Sequence, residues 1–388
     1  MCNTVNILKG DPILPPVNLL IKPASGLCNI RCKYCFYADV MENREMQSYG
    51  IMSYETLEHI IRRTFSYATD EVTFAFQGGE PTMAGLNFFK KAVSLTKQYN
   101  TKQLSVHFSL QTNGIVIDDE WAGFFAENKF LLGLSLDGIK DTHDLYRIDS
   151  DGQGTYKIVM HTAQILNRHK VDYNILTVVT AQVADKIGKI YNFYRSNGFQ
   201  YQQYIPCLDP FGEERGKYPH SLTPEKYEYF LKTLFDCWYN DIIRGKFVYN
   251  RYFENLVGML LRQAPESCGM IGHCSKQLVV EADGSVYPCD FYVLDQYKIG
   301  NLITDSYEEI ERKRDAIGFV SQSEAVELKC KACKWYSICR GGCRRDRDQM
   351  DGSLGVSYYC SAYGAFFEYA MPRLEKVAQM IVSGAQFK

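Results

Sequence analysis

Three cysteines lie close together near the N-terminus, in the stretch SGLCNIRCKYCFY (25–37). They are Cys28, Cys32 and Cys35, and their spacing is C-x3-C-x2-C. A closed structural metal site takes four ligands, whereas three thiolates can hold three irons of a 4Fe–4S cube and leave the fourth iron open. The spacing therefore predicts an iron–sulfur site with a free coordination position. The alternatives are a zinc site completed by a distant cysteine, or thiols without a role.

A second group of cysteines occupies the C-terminal part of the chain. Of the 14 cysteines, only Cys2, Cys207 and Cys237 stand alone, and we assign the last two to packing. The eight of the second group are Cys268, Cys274, Cys289, Cys330, Cys333, Cys339, Cys343 and Cys360. Clustering at short spacings is typical of metal or iron–sulfur ligation. Eight thiolates suffice for two fully ligated 4Fe–4S clusters, and a pair of structural zinc sites is the alternative.

The bulk composition is that of an ordinary folded protein. The chain has 388 residues, 46% of them hydrophobic, and a net charge of −2, which favours neither nucleic acid nor an anionic membrane as partner. No basic and apolar leader opens the sequence, and no apolar run approaches the roughly 18 residues of a membrane span. We therefore expect a cytoplasmic protein, whose cysteines are reduced and are not paired in disulfides.

Six strand-like runs alternate with amphipathic helical segments over the first two hundred residues. Such alternation predicts a parallel sheet of βαβ units, and six units suit an incomplete, TIM-like (β/α)6 barrel of the α/β class. The predicted strands are 17–24, 71–79, 104–112, 130–138, 171–180 and 200–208. The predicted helices are one capped by Ser53 and others over 85–99, 119–128, 155–169 and 183–197.

The alternation of strand-like and helical segments ends at about residue 213, and we divide the chain into three parts. Residues 1–215 form the partial barrel. Residues 216–265 form a helical connector, whose helix begins with Thr223 as cap and Pro224 at its first position. Residues 266–388 form a loop-rich, cysteine-rich domain with a C-terminal helix, which we expect bound metal to hold together.

The three-cysteine loop follows the first predicted strand, and active sites of parallel barrels lie at the carboxyl ends of the strands. CNIRCKYCFY resembles the cysteine loop of the radical S-adenosylmethionine (radical SAM) enzymes, in which an aromatic residue follows the third cysteine. The resemblance implies that the open iron binds S-adenosyl-L-methionine, and that one electron then releases a 5′-deoxyadenosyl radical.

Other strand ends carry residues that match positions of this superfamily. QGGEP (77–81) follows the second strand, and its glycines allow close approach of a ligand to the main chain. By resemblance this turn meets the methionyl amino group, whereas Ser135 and Arg147 contact the ribose and the carboxylate. The predicted cofactor-binding residues are Tyr34, Gly78, Gly79, Glu80, Ser135, Arg147 and Leu208.

The C-terminal cysteines resemble the SPASM extension of radical enzymes that modify peptides. The matching run is C-x9-G-x4-C…C-x2-C-x5-C-x3-C…C, with Cys268 in addition. By resemblance, one auxiliary 4Fe–4S cluster takes Cys268, Cys274, Cys289 and Cys343, and the other takes Cys330, Cys333, Cys339 and Cys360. Full ligation implies electron transfer. The arginines of CRGGCRRDRD (339–348) are expected to surround the clusters and to pair with nearby carboxylates.

A radical generator beside electron-accepting clusters suits an oxidation, and such a reaction needs a base for the substrate's thiol or hydroxyl. Asp290, in YPCDFYV (287–293), is adjacent to the predicted ligand Cys289 and is our candidate base. An aspartate that only satisfies turn amides is the alternative.

Nearly the whole chain is similar to the anaerobic sulfatase-maturating enzymes, through LLIKPAS, SYGIM, FAFQGGEPT, SLQTNG, YPCDFYVLD and GGCRR. The resemblance implies oxidation of an active-site Cys or Ser of an unfolded sulfatase to Cα-formylglycine (3-oxoalanine). Tyr37 and Gln111 would line the peptide pocket, and ferredoxin or flavodoxin would donate electrons. The N-terminal dozen residues, with Cys2, match no motif.

Two other functions remain open from the sequence. One is a SPASM maturase that installs a thioether or carbon–carbon crosslink in a ribosomal peptide. Such enzymes often carry an N-terminal peptide-clasping domain, for which the 27 residues before Cys28 leave no room. The other is a non-enzymatic iron–sulfur or zinc scaffold, which would need no cofactor site beside QGGEP and SLDG (135–138).

Overall fold

A predominantly parallel β-sheet is the central element of the computed structural model, which describes residues 16–384. In that range the strands are β1 (Val17–Ile21), β2 (Ile30–Cys32), β3 (Glu71–Phe76), β4 (Ser105–Thr112), β5 (Leu131–Ser135), β6 (Arg147–Asp149), β7 (Tyr173–Val179), β8 (Tyr201–Pro206), β9 (Tyr249–Asn250), β10 (Leu278–Val280), β11 (Ser285–Tyr287) and β12 (Gly300–Asn301).

Helices cover the sheet and extend beyond it. In the same range they are α1 (Phe36–Glu42), α2 (Tyr54–Tyr67), α3 (Leu86–Tyr99), α4 (Asp119–Glu127), α5 (Lys140–Tyr146), α6 (Tyr156–His169), α7 (Ala181–Asp185), α8 (Ile187–Ser196), α9 (Pro224–Ile242), α10 (Arg251–Leu260), α11 (Tyr307–Ile317), α12 (Phe319–Glu324), α13 (Leu328–Lys331), α14 (Tyr336–Cys339) and α15 (Cys360–Val382). Short 3-10 helices lie at Pro81–Ala84, Cys268–Met270, Asp290–Tyr292, Asp295–Tyr297 and Arg344–Asp346.

The six predicted strands are neighbours in one parallel sheet, in the order β1-β3-β4-β5-β7-β8. The sheet does not close on itself, because β1 pairs on its other side with β10 and β8 pairs with β9. Since the strands are parallel, their carboxyl ends meet at one edge. The predicted α/β class, with an incomplete (β/α)6 barrel, is therefore confirmed.

The hydrophobic core lies between the sheet and its helices. Residues alternate between buried and half-buried along β3, and Val72, Phe74 and Phe76 point into the core. The predicted face of α2 is buried against them, and Ser53 accepts a hydrogen bond from the Thr56 N–H as its cap. Thr223 caps α9 in the same way. The residues predicted to lie on core faces therefore pack in the core, and this packing holds the strands that carry the site.

The structure differs from the expected elements in two places. The helix predicted over 183–197 is two helices, because Thr180 caps α7 and the chain breaks its helical path at Lys186 before α8. The C-terminal segment contributes strands as well as loops. Its β10, β11 and β12 extend the central sheet from β1, and α15 packs along α9. Short strands of two or three residues give too little periodicity to be recognised in the sequence.

A separate two-stranded sheet fixes the cysteine loop. β2 pairs antiparallel with β6, and Cys32 lies opposite Arg147. The Lys33 N–H also donates to the Tyr146 carbonyl at 3.1 Å. Two residues that are far apart in the sequence are therefore held together by main-chain hydrogen bonds.

The N-terminal dozen residues, with Cys2, lie outside the described residues. Over residues 16–384, none of the helices combines the length and the apolar character that a membrane crossing requires. The three-part division of the chain stays a prediction, since one sheet continues from the predicted barrel into the predicted C-terminal domain.

Candidate active site

A cavity of about 390 Å³ lies where the carboxyl ends of the parallel strands meet the C-terminal segment. It brings together residues that the sequence analysis took from widely separated motifs. Its lining includes the predicted site residues Cys28, Cys32, Tyr34, Cys35, Tyr37, Gly78, Gly79, Glu80, Gln111, Ser135, Arg147, Leu208, Cys268, Cys274, Cys289, Asp290 and Cys343. The predicted residues absent from this lining are Cys330, Cys333, Cys339 and Cys360.

The three cysteines of the loop border one side of the cavity. Burial raises the pKa of the Cys28 thiol to about 11 and that of Cys32 to about 12. Asn113 donates from Nδ2 to the Cys28 sulfur at 3.7 Å, and Arg147 donates from Nη1 to the Cys32 sulfur at 3.8 Å. Thiols with such pKa values carry a negative charge only when a metal replaces the proton. Donors already directed at two sulfurs fit that state.

The eight C-terminal cysteines separate into two groups in space. Cys268, Cys274, Cys289 and Cys343 border the cavity, and burial, together with the proximity of other thiols of this group, raises the pKa of Cys274, Cys289 and Cys343. The other four interact among themselves away from it, and Cys333 among them is exposed. These proximities support the grouping that the SPASM resemblance implies. The ligand roles themselves stay predictions.

The donor chemistry of the cysteine groups suits iron–sulfur clusters. Between residues 16 and 384, no three or more His, Cys, Asp or Glu side chains are arranged to hold one metal ion. Ligands of a single zinc ion would converge to about 2.3 Å from one point. The eleven thiols of the three groups are soft donors, and soft thiolates are the ligands that iron–sulfur clusters take. The chemistry of the donor set therefore fits three clusters.

The QGGEP turn lies against the cysteine loop and requires both of its glycines. Gly78 has φ +96°, and a Cβ there would lie 2.4 Å from Cε of Lys22. Gly79 has φ +52°, and a Cβ there would lie 2.3 Å from the Leu27 carbonyl oxygen. A side chain at either position would displace the loop or the lysine. The turn therefore brings main-chain groups to the cavity wall.

Glu80 is buried at the end of the same turn, and its carboxylate is fully used within the protein. Oε1 accepts from the Thr82 N–H at 3.1 Å and from the Thr112 hydroxyl at 2.8 Å. Oε2 accepts from the Asn113 N–H at 2.7 Å. Burial raises the pKa of Glu80, against these hydrogen bonds. The side chain therefore connects the chain after β3 to the end of β4.

The remaining predicted cofactor-binding residues lie around the cavity. Ser135 ends β5 and is buried, and Leu208 lies two residues beyond the end of β8. Tyr34 and Arg147 are buried, and both contact Asp137. Gln111, on β4, borders the same cavity.

Asp290 begins a short 3-10 helix directly after Cys289, and only one of its carboxylate oxygens has hydrogen-bond partners. Oδ2 accepts from the Tyr37 hydroxyl at 2.5 Å and from Gln77 Nε2 at 2.9 Å. Oδ1 is buried without a hydrogen-bond partner, and Lys22 Nζ lies 3.9 Å from it. Burial raises the pKa of Asp290, whereas Lys22 and the Tyr37 hydrogen bond lower it. A buried acceptor with a free oxygen at a cavity is suited to take a proton from a bound molecule.

A buried ion-pair network supports Asp290 from behind. Lys22 pairs with Glu281 at 3.4 Å, and Arg44 pairs with the same Glu281 oxygen at 2.8 Å. All three side chains are at most 2% exposed. Lys22 Nζ also lies 4.6 Å from the centroid of the Tyr37 ring. The network joins the chain after β1 and α1 to the residue that follows β10 in the C-terminal segment.

The arginines after Cys339 have hydrogen-bond partners other than those we expected. We predicted that they pair with local carboxylates, but Arg344 donates to the Phe319 carbonyl at 2.8 Å and Arg347 donates to the Ser323 carbonyl at 2.7 Å. Arg345 is the exception, since it lies 3.9 Å from Asp348. These side chains are buried, and they donate to main-chain carbonyls, those of α12 for Arg344 and Arg347 and that of Asp209 for Arg345.

Sequence reasoning missed several residues of this site. Lys22, Gln77, Asn113, Asp137 and Glu281 lie at the cavity wall or directly behind it, buried or half-buried. None of them was assigned a role, although the first four lie within the motifs LLIKPAS, QGGEP, SLQTNG and SLDG. Lys22 and Asp137 do carry a signal, since each is a charged residue directly after an apolar strand run. Glu281 gives none, because its partners are more than 200 residues away.

Two protein-family models match parts of this chain. Residues 23–194 match the Radical SAM superfamily, and residues 268–334 match the SPASM iron–sulfur cluster-binding domain. A cysteine-type anaerobic sulfatase-maturating enzyme of Clostridium perfringens is 48% identical over 95% of this chain and 100% of that protein. A serine-type enzyme of Bacteroides thetaiotaomicron is 30% identical over 94% of this chain and 92% of that protein.

A solved structure has the same fold over almost the whole chain. It is native anSMEcpe with bound AdoMet and Cp18Cys peptide, with a TM-score of 0.90 and 48% identity over 95% of this chain and 100% of that one. Fold, cysteine groups and cavity together define a radical SAM enzyme with a SPASM domain. Within that class, the chain belongs to the anaerobic sulfatase-maturating enzymes.

Proposed function

We propose that this chain oxidises the active-site cysteine of an unfolded sulfatase to Cα-formylglycine. The relatives at 46–48% identity are cysteine-type enzymes, whereas serine-type enzymes stand at 30%. Cysteine is therefore the substrate residue we assign. Two observations in this structure carry the proposal: Oδ1 of Asp290 has no hydrogen-bond partner, and Asp290 lines the cavity that the three-cysteine loop also borders.

Seven of the eleven predicted cluster ligands border that cavity. Cys28, Cys32 and Cys35 would hold the cluster that binds S-adenosyl-L-methionine, and the two C-terminal groups of four would hold the auxiliary clusters. When bound, these groups supply a 5′-deoxyadenosyl radical that removes one hydrogen atom from the substrate Cβ, and they accept the second electron.

The chain's own contribution is to remove the substrate's thiol proton. Asp290 takes that proton at Oδ1, while Tyr37 and Gln77 hold Oδ2 and fix the plane of the carboxylate. Loss of the proton, one hydrogen atom and one electron converts the thiol-bearing side chain to a thioaldehyde. Water then displaces the sulfur as hydrogen sulfide and leaves the aldehyde. Loss of the thiol proton to Asp290 would make the second electron easier to remove, and Asp290 is adjacent in the chain to the predicted auxiliary-cluster ligand Cys289.

The substrate is proposed to enter as an extended peptide. Tyr37 and Gln111 border the cavity on the side of β4 and α1, where a side chain directed at Asp290 would pass. A small acidic electron carrier, such as ferredoxin or flavodoxin, is the proposed electron donor. The crosslinking alternative is not favoured, because the relatives that match nearly the full length are sulfatase-maturating enzymes.

The test uses anaerobically reconstituted protein, S-adenosyl-L-methionine, a reductant and a peptide with the Cys-x-Pro-x-Arg motif. We expect 5′-deoxyadenosine and peptide aldehyde in equal amounts, measured by chromatography and mass spectrometry. The matched control is the same peptide with Ala in place of Cys, which should give no aldehyde. A crosslinked peptide in place of the aldehyde would favour the second function, and absence of 5′-deoxyadenosine would contradict both.

A further inference from the structure

Asp137 is a buried carboxylate that has no role in the proposed mechanism. It lies two residues beyond the end of β5 and is 1% exposed. Its Oδ2 accepts from the Tyr34 hydroxyl and, at 2.9 Å, from Nε of Arg147. Its Oδ1 accepts from the Val178 N–H at 2.9 Å. Both oxygens are therefore occupied by donors from three separate parts of the barrel.

The main chain of Asp137 takes part in the same arrangement. Its N–H donates to Nδ1 of His143 at 3.2 Å, so Nε2 of the neutral ring carries the proton. Nε2 donates to the Thr155 hydroxyl at 3.0 Å, and that hydroxyl donates to the Arg147 carbonyl at 3.0 Å. Burial, with Arg147 nearby, lowers the pKa of His143 to about 4, which keeps the ring neutral. Asp137 therefore holds Arg147 by its side chain and, through two residues, by its main chain.

Arg147 contacts the cysteine loop through both its side chain and its main chain. Its Nη1 lies 3.8 Å from the Cys32 sulfur, and its main chain is paired with that of Cys32 between β6 and β2. Nε is already bonded to Asp137, which restricts rotation of the guanidinium plane. A guanidinium fixed from one side offers its remaining donors in a defined direction, toward Cys32 and the cavity.

We propose that Asp137 is the positioning residue of the cofactor site, which fixes Arg147 against the Cys32 sulfur and toward S-adenosyl-L-methionine. The inference rests on the proposed function, because it assumes that the loop holds the cofactor-binding cluster. A hydrogen-bond donor to a cysteine sulfur changes the electron density at the iron that this sulfur binds. Displacement of the donor would therefore change the electron density at that iron. Asp137 should therefore affect both cofactor affinity and the spectrum of this one cluster.

Asp241 provides a matched control elsewhere in the chain. It is 3% exposed, and its Oδ2 accepts from the Tyr191 hydroxyl at 2.9 Å and from Nε of Arg195 at 2.8 Å. The partners are the same two residue types that bond Asp137 Oδ2, but neither of them borders the cavity, as the partners of Asp137 do. Asp241→Asn therefore reproduces the structural cost of losing such a carboxylate without touching the cofactor site.

The experiment compares Asp137→Asn, Asp137→Glu and Asp241→Asn as reconstituted holoenzymes. The measurements are the dissociation constant of S-adenosyl-L-methionine, the electron paramagnetic resonance spectrum of the reduced clusters, and the melting temperature. We expect Asp137→Asn to weaken cofactor binding about 10-fold or more and to change the signal that responds to S-adenosyl-L-methionine. Asp137→Glu keeps the charge but moves the carboxylate by one methylene, and it should also weaken binding. Asp241→Asn should lower the melting temperature alone.

A purely structural role predicts a different result. In that case the Asp137 variants would lower the melting temperature as Asp241→Asn does, with affinity and spectrum unchanged, and the proposal would be overturned. If Asp137→Asn does not fold, Asp137→Glu decides, since wild-type affinity in that variant contradicts positioning. Failure of the wild-type spectrum to respond to S-adenosyl-L-methionine would instead refute the proposed function.

Discussion

Asp290 lines the cavity and Asp137 lies behind it, and the two residues differ in how many of their carboxylate oxygens are hydrogen-bonded. Each is buried, and each accepts a hydrogen bond from a tyrosine of the same loop, Tyr34 or Tyr37. Both oxygens of Asp137 are bonded within the protein, whereas Oδ1 of Asp290 has no hydrogen-bond partner. A saturated carboxylate can hold its neighbours in place, but only one with a free oxygen can accept a proton from a substrate.

We propose that this difference corresponds to two ends of the cavity, a cofactor end and a substrate end. The cofactor end contains the three-cysteine loop, the QGGEP turn and Arg147, with Asp137 behind them. The substrate end contains Asp290, Tyr37 and Gln77, with Cys289 beside them. We therefore expect changes at the two ends to affect two different products, 5′-deoxyadenosine and peptide aldehyde.

Cys32→Ala should have the largest effect, because it removes a predicted cluster ligand at the cofactor end. We expect no 5′-deoxyadenosine and no aldehyde, and about four fewer irons per chain than the roughly twelve of three clusters. Iron quantitation and product chromatography measure both. Cys237→Ala is the control, since Cys237 lies on α9 away from the cavity and should leave both values unchanged. Turnover in Cys32→Ala would refute the assignment of the loop.

Asp290→Asn should separate the two products. The amide keeps the shape of the side chain but cannot accept the thiol proton, so aldehyde formation should fall by about 100-fold or more. Cleavage of S-adenosyl-L-methionine should continue, because the cofactor end is intact. The two products are quantified in the same reaction mixture. An undiminished aldehyde yield would remove Asp290 from the role of base.

Tyr37→Phe should have a smaller effect in the same direction. It removes one of the two donors to Asp290 Oδ2 and leaves Gln77 in place. Loss of one hydrogen bond costs about 1 kcal/mol, which corresponds to about a five-fold lower rate of aldehyde formation. Tyr34→Phe is the counterpart at the cofactor end, and its effect should appear in cofactor affinity. Equal effects of both variants on both products would contradict the separation of the two ends.

The sequence predicted most of the fold and the lining of the cavity. The correct predictions rest on local sequence patterns, which do not depend on tertiary contacts. They include the six strands with strong apolar runs, the caps Ser53 and Thr223, and the cysteine spacings. The resemblance to known enzymes then predicted which strand ends carry site residues. The structure brings Asp290 and Cys28 to one cavity although 262 positions in the chain separate them.

What the sequence did not predict depends on contacts between distant segments. The strands β10 to β12 are two or three residues long and exist because β1 offers them an edge. The bonds of Asp137 and the Lys22–Glu281–Arg44 network join segments that no spacing relates. The arginines after Cys339 were predicted to pair with carboxylates, but Arg344 and Arg347 donate to main-chain carbonyls of α12 instead.

Transfer of a labelled hydrogen tests the central claim most directly, since that claim is that the cofactor reacts with the Cβ hydrogen of the substrate cysteine within one cavity. The substrate is a peptide with cysteine deuterated at Cβ, and mass spectrometry follows the label in 5′-deoxyadenosine. We predict one deuterium in the 5′-deoxyadenosine formed with each aldehyde, and loss of both products in Cys32→Ala. Aldehyde formed together with unlabelled 5′-deoxyadenosine would contradict this account.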